Sequence, residues 1–332
     1  MLTVVSDDQR RARLLRMSEV TVIGIGCELD RLFAGQRASL PMPGPPGRDD
    51  LRDLFDAFSG PLRSGEAVIV VVGDWLPEET MRSVHTVHSL LQTDRVAVHV
   101  TALPPLAASV LAALAAALAP FAPSAGALAS ALERIGDELT VLAWAGSVAR
   151  LQHPSVSILH HARSLLPGSS FGVGLQPEPF VLPVTRGGQE IPLVASEHPL
   201  ELLVAPSENA DLSWILELVA PALGGVPVRE LPPTMHGPEW WGTSRLVEAV
   251  GVPSSLEWLA EMTLSGTPVP CAWCGERIYS PPCPFCGDMA PPEPRRRSAY
   301  TAAALAAATH PVGTSHVHSP QAFADVDRRA EP

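Results

Sequence analysis

Four cysteines fall within sixteen residues, as Cys271-Ala-Trp-Cys274-Gly275 and Cys283-Pro-Phe-Cys286-Gly287. Two thiolates three positions apart can reach one ion, and the glycine after each pair lets the chain turn beneath it. Two such knuckles complete a tetrahedral all-thiolate shell, the arrangement zinc takes in structural sites. The expectation is therefore one structural Zn2+ held by Cys271, Cys274, Cys283 and Cys286. Four protein ligands leave no open position, so this metal has no part in activating water. A redox dithiol would be a single CxxC at a strand–helix junction, whereas these pairs sit in a proline-rich stretch. So small a module has too little core to fold alone, so metal binding and folding should be coupled.

The repeated CxxCG pattern resembles the short zinc-ribbon modules appended to many bacterial proteins. The resemblance covers residues 270–288. The eight-residue spacer is too short for a rubredoxin-like iron site. Such ribbons commonly contact protein or nucleic acid, and the acidity of this chain favours protein. The resemblance thus implies a non-catalytic adaptor or assembly protein. Trp273 and Phe285 on the knuckles are its candidate contacts, together with the adjacent Trp240 and Trp241, since tryptophan is enriched at binding hot spots. The bland reading is that these rings pack internally.

Other chemistry is less developed. Gly24-Ile-Gly26 ends an apolar run, as in a dinucleotide loop, but position 29 is leucine where a third glycine is needed, and Glu28 and Asp30 stand where a pyrophosphate would need bare amides. Asp74 follows Gly73 at the end of a second apolar run. Open parallel sheets take ligands at the carboxyl ends of their strands. The alternative function is accordingly a small-molecule or nucleotide-binding enzyme acting at that edge through Gly24, Gly26 and Asp74. Gly168-Ser-Ser170-Phe-Gly172 matches GxSxG, but a nucleophile elbow follows a strand and opens a helix, and here the order is reversed. His85 and His88 share a helix face with no third ligand nearby. His236-Gly-Pro-Glu239-Trp240-Trp241 is the most unusual polar–aromatic cluster. There is no phosphate loop, HExxH, kinase or EF-hand pattern.

These residues must be carried by an α/β scaffold. Val20–Gly26, Ala67–Val72 and Val96–Ala102 are continuous apolar runs that alternate with amphipathic segments at 49–59 and 77–91. Strands apolar on both faces argue for a Rossmann-like parallel sheet with helices on both sides. A helix over 127–135 leads to a fourth strand, Leu139–Trp144. The domain reading is a flexible segment 1–16, a Rossmann-like domain 17–145, a second mixed α/β unit 146–265, the ribbon 266–288 and a disordered tail 289–332. Within the second unit, short strands are predicted at 170–176, 180–185, 190–194, 200–205 and 226–231. A tight turn is predicted at Arg186–Gln189. Helices are predicted over 155–166, 212–223, 240–250 and 255–264, the last with Ser254 and Glu257 as a capping box.

Composition bounds the partners. The chain has 332 residues, 46% hydrophobic and 17% charged, enough for a sizeable core. All 23 basic residues are arginine, so no lysine base, Schiff base or phosphate-loop lysine exists. A net charge of −12 argues against nucleic acid as a generic partner. Of five cysteines, only Cys27 stands apart, a pattern of metal binding in a reducing compartment rather than of disulfides. With no secretory signal at the N-terminus, the expected location is cytoplasmic. The apolar run Leu106–Leu118 is bracketed by prolines and shorter than the roughly 20 residues of a membrane span. A core helix is expected there.

Overall fold

In the first strands, each face has its own helices because each face is apolar. The computed structural model describes residues 20–27, 48–185 and 190–289. Strands β1 (Val20–Ile25), β2 (Ala67–Gly73) and β3 (Val96–Thr101) form a parallel sheet in the order β1-β2-β3. Alternate residues of β2 point opposite ways. Val68, Val70 and Val72 pack with Leu54 and Phe58 of helix α1 (Arg48–Arg63) and with Val84 and Val87 of α2 (Glu78–Leu91). Ile69 and Val71 pack on the other side with Leu111 and Leu114 of α3 (Pro105–Leu118).

Helix α3 is the expected core helix, buried at every position except Ala116 and Ala117. It is apolar all round because it lies between two sheets, touching β1 and β2 on one side and β9 on the other. Among the described residues no helix is long and apolar enough to cross a membrane. Two short helices, α4 (Ala125–Ser130) and α5 (Leu132–Asp137), replace the single helix predicted over 127–135.

The second sheet is mixed and six-stranded. It comprises β4 (Thr140–Ala145), β5 (Phe171–Gln176), β6 (Phe180–Pro183), β7 (Leu200–Pro206), β8 (Val228–Glu230) and β9 (Leu246–Pro253), in the order β6-β5-β4-β9-β7-β8. Only β7 and β8 pair in parallel. Helix α6 (Ile158–Ser164) connects β4 to β5. A π-helical turn, Ile215–Val219, runs into α7 (Ala220–Ala222) and covers the outer face through Ile215 and Val219.

Several expectations are corrected here. The strand at 139–144 does not extend the parallel sheet. It is β4, antiparallel to both β5 and β9 near the centre of the second sheet. The helix predicted over 240–250 is instead the four-residue α8 (Gly237–Trp240) followed by strand β9. Every residue of β9 is buried, between two neighbouring strands and under α3. Burial on both faces overrides the helical spacing of its apolar residues. Residues 190–194 form no strand. Helix α9 (Leu256–Thr263) is capped by Ser255, whose Oγ accepts from Trp258 N at 3.1 Å, not by Ser254. The predicted turn at 186–189, the segment 1–16 and the tail from residue 290 lie outside the described residues.

Candidate functional site

The carboxyl ends of β2 and β3 open onto a cavity of about 530 Å3. Asp74 stands at its edge, its backbone N–H bonded to Thr101 O at 2.9 Å, so the β2–β3 ladder itself fixes its position. The next residue, Trp75, folds its indole back across Gly73. A Cβ on Gly73 would lie 2.3 Å from that ring, so only glycine leaves room. The indole N–H donates to Leu103 O at 2.9 Å, and the ring meets that of His236 with centroids 5.1 Å apart. Gly73→Ala should therefore displace Trp75 and cost about 1–3 kcal/mol through overpacking, read as a lower urea midpoint with an altered near-UV tryptophan signal.

The opposite wall comes from the second sheet. Gln152 and His153 follow β4, while His236, Glu239 and Trp240 belong to or adjoin α8. Glu248, in the middle of β9, anchors this wall. It is a buried carboxylate that accepts from Trp241 Nε1 at 3.1 Å, from Leu106 N at 3.2 Å and from Thr234 Oγ1. Leu106 is in the first turn of α3, where Pro104 offers no side-chain cap. Glu248 thus serves that turn from another strand, and a negative charge there also suits the helix dipole. Trp241, fully buried, holds Trp240 edge-on at 4.7 Å between centroids. Sequence reading overlooked Glu248; the available signal was a lone acid in an otherwise apolar run, LVEAVGVP.

Of the other candidates, Gly24 is buried within β1, and Gly26 turns the chain out of it with φ +72° against Leu76. The described lining includes Asp74 but neither glycine. Ser169 and Ser170 precede β5, so GxSxG lies in a helix-to-strand order. His85 is exposed and His88 half-buried on α2, and among the described residues the four cysteines are the sole group of three or more potential metal ligands. The Cys27 thiol, fully buried, is pushed up to about 12 by desolvation, although a hydrogen bond from Ser109 acts the other way. It is inert packing.

The four-cysteine site is built as two matched knuckles. Gly275 N bonds to Cys271 O at 3.1 Å and Gly287 N to Cys283 O at 2.8 Å, with both glycines at positive φ, +76° and +73°. All four Sγ atoms lie within 4.8 Å of one another. The separations Cys271–Cys286, 3.6 Å, and Cys274–Cys283, 3.7 Å, approach the edge of about 3.8 Å that a tetrahedron with zinc–sulfur bonds of about 2.3 Å requires. The donors therefore fit a zinc ion. A hairpin with strands of two residues each, β10 (Val269–Pro270) and β11 (Arg277–Ile278), carries the first knuckle in its loop.

The ribbon is not a free arm. Ser124 Oγ donates to Arg277 O at 2.9 Å, Gly126 N to Glu276 Oε1 at 2.9 Å, and Tyr279 N to Ser130 Oγ at 3.2 Å. Tyr279 also donates its hydroxyl to Leu264 O, and Arg134 lies 4.5 Å from its ring centroid. Cys271, Ile278, Cys283 and Phe285 belong to the same core as α3. This corrects the adaptor reading and its partner surface. Trp241 is 0% exposed and Phe285 5%, and Trp240 lines the cavity; only Trp273, at 84%, is freely presented. Burial in the chain's own core removes the surface that the adaptor needed.

No protein-family model and no curated protein matches the chain. Solved structures of similar shape are DegV family proteins. One from Corynebacterium glutamicum is 12% identical, with 71% of this chain and 97% of that one covered and a TM-score of 0.48. One from Thermus thermophilus, described as fatty acid binding, is 13% identical over 71% and 99%, at 0.48. One from Eubacterium eligens, loaded with heptadecanoic acid, is 11% identical over 71% and 100%, at 0.46.

Proposed function

We propose that this protein binds a small molecule in the cavity between the carboxyl edge of the β1-β2-β3 sheet and α8. This replaces the adaptor reading. The observation that carries it is the cavity itself, about 530 Å3 with two carboxylates, two imidazoles, an amide and two indoles converging on it. Ligand sites fall in this size range and favour the carboxyl ends of parallel strands. A thermal-shift panel of nucleotides, amines, small organic acids and fatty acids tests this reading, with the parent beside Asp74→Ala. A true ligand at about 100 times its Kd adds about 2.7 kcal/mol, hence about 4 °C at this chain length. Binding should weaken about tenfold or more in Asp74→Ala, the equivalent of one lost polar contact. An identified ligand that binds the variant as tightly as the parent would remove Asp74 and this cavity from the reading.

We also infer that Cys271, Cys274, Cys283 and Cys286 hold one structural Zn2+. The sulfur separations near a tetrahedral edge and the paired knuckles support this. When bound, the ion supplies a cross-link and no catalysis. Metal analysis of the purified chain should give one zinc per chain, and less than a tenth of that would refute it. Free thiols held as metal ligands fit a reducing compartment, and on that basis the protein is assigned to the cytoplasm.

A further inference from the structure

We infer that the ligand of this cavity is an organic cation, an ammonium group carried on a flat or apolar body. The inference rests on the small-molecule reading above and narrows it.

Charge is the first ground. Asp74 and Glu239 both line the cavity, and the described lining contains no arginine. No ion pair among the described residues engages either carboxylate. The chain has no lysine anywhere in its sequence. Two carboxylates without an ion-pair partner among the described residues attract a cation and repel a carboxylate or phosphate.

The aromatic walls are the second ground. Trp75 follows β2 and Trp240 ends α8, and both line the cavity. Each is held in place. Trp75 is fixed by its bond to Leu103 O and by the bare backbone of Gly73. Trp240 is fixed by the buried Trp241, which Glu248 holds in turn. Indole faces attract cations through the ring quadrupole, and tryptophan does so best. Rigid rings save the ordering cost that mobile ones impose on binding. Carboxylates select for the charge while the indoles accept the body, so neither feature is redundant.

Three probes of nearly equal shape test this on the full-length protein by calorimetry at low salt: tryptamine, the neutral tryptophol and the anionic indole-3-acetate. Tryptamine should bind about tenfold or more tightly than tryptophol, an advantage that added salt erodes, and indole-3-acetate should bind weakest. Asp74→Asn with Glu239→Gln, both exposed positions, should reduce that advantage to about threefold or less. If the three probes bind the parent equally, or if tryptamine does not bind at low salt, the cation assignment is overturned. The thermal-shift panel with Asp74→Ala decides separately whether the cavity binds any small molecule.

Discussion

Stripping the proposed zinc from the full-length protein will lower the melting temperature of the whole α/β body by about 7 °C or more, rather than merely loosening its C-terminal end. The ribbon's Ile278 and Phe285 are buried in the same core as α3. Full burial of each such side chain contributes about 1.5–3 kcal/mol. The bonds from Ser124, Gly126 and Tyr279 tie the ribbon to α4, and each adds about 1 kcal/mol. Loss of about 5 kcal/mol shifts melting by about 7 °C, at about 1.4 °C per kcal/mol for a chain of this length. The hairpin alone is too small to keep these residues in place once the cross-link is gone.

Cys283→Ser should reproduce the chelated state. Gly126→Ala should mimic it in part with the metal still bound, because its Cβ would meet Glu276 Cγ at 2.5 Å and Arg277 O at 2.6 Å. Calorimetry with parallel metal analysis checks all three. A demetallated protein that melts with the parent would show that the ribbon does not brace the body.

Glu248→Ala will destabilise the protein by about 3–5 kcal/mol, the range for removing one partner of a buried polar network. The substitution leaves the Trp241 indole N–H and the Leu106 amide in the core without their acceptor. It also takes the capping charge from the first turn of α3, the helix on which both sheets pack. Glu248→Gln keeps one acceptor oxygen and the side-chain volume, and its loss should be about 1–2 kcal/mol. Urea denaturation resolves the two, with an unchanged m-value marking a pure stability effect. Ligand affinity at the cavity should fall in the alanine variant at temperatures where it remains folded, since Trp241 no longer fixes Trp240. An alanine variant as stable as the parent would show that the network is incidental.

The reach of the sequence followed the range of the interactions involved. The clustering of Cys271, Cys274, Cys283 and Cys286 was legible because four cysteines within sixteen residues encode their own geometry. The strands β1, β2 and β3 were legible because apolar runs between turn residues can only be buried on both faces, and Asp74 followed from its place at the end of one of them. Helix α3 was legible from prolines at both ends of a short apolar run. In each case the deciding contacts lie within a few residues or repeat with a fixed period.

Tertiary structure decided the rest. Whether β4 joined the first sheet or the second depended on pairing with β9, more than a hundred residues away in the chain. The segment of β9 carries apolar residues at spacings that suit a helix, and only its place between β4 and β7 makes it a strand. Glu248 acquires its role from Leu106, Thr234 and Trp241, which its own neighbourhood in sequence does not announce. Trp241 and Phe285 read as contacts for a partner until the fold supplied the chain's own core as that partner. Local sequence sets which elements can form and which ligands can gather. Burial is a property of pairs of distant segments, so the choice between an exposed surface and an internal joint was made only when the sheets closed on α3.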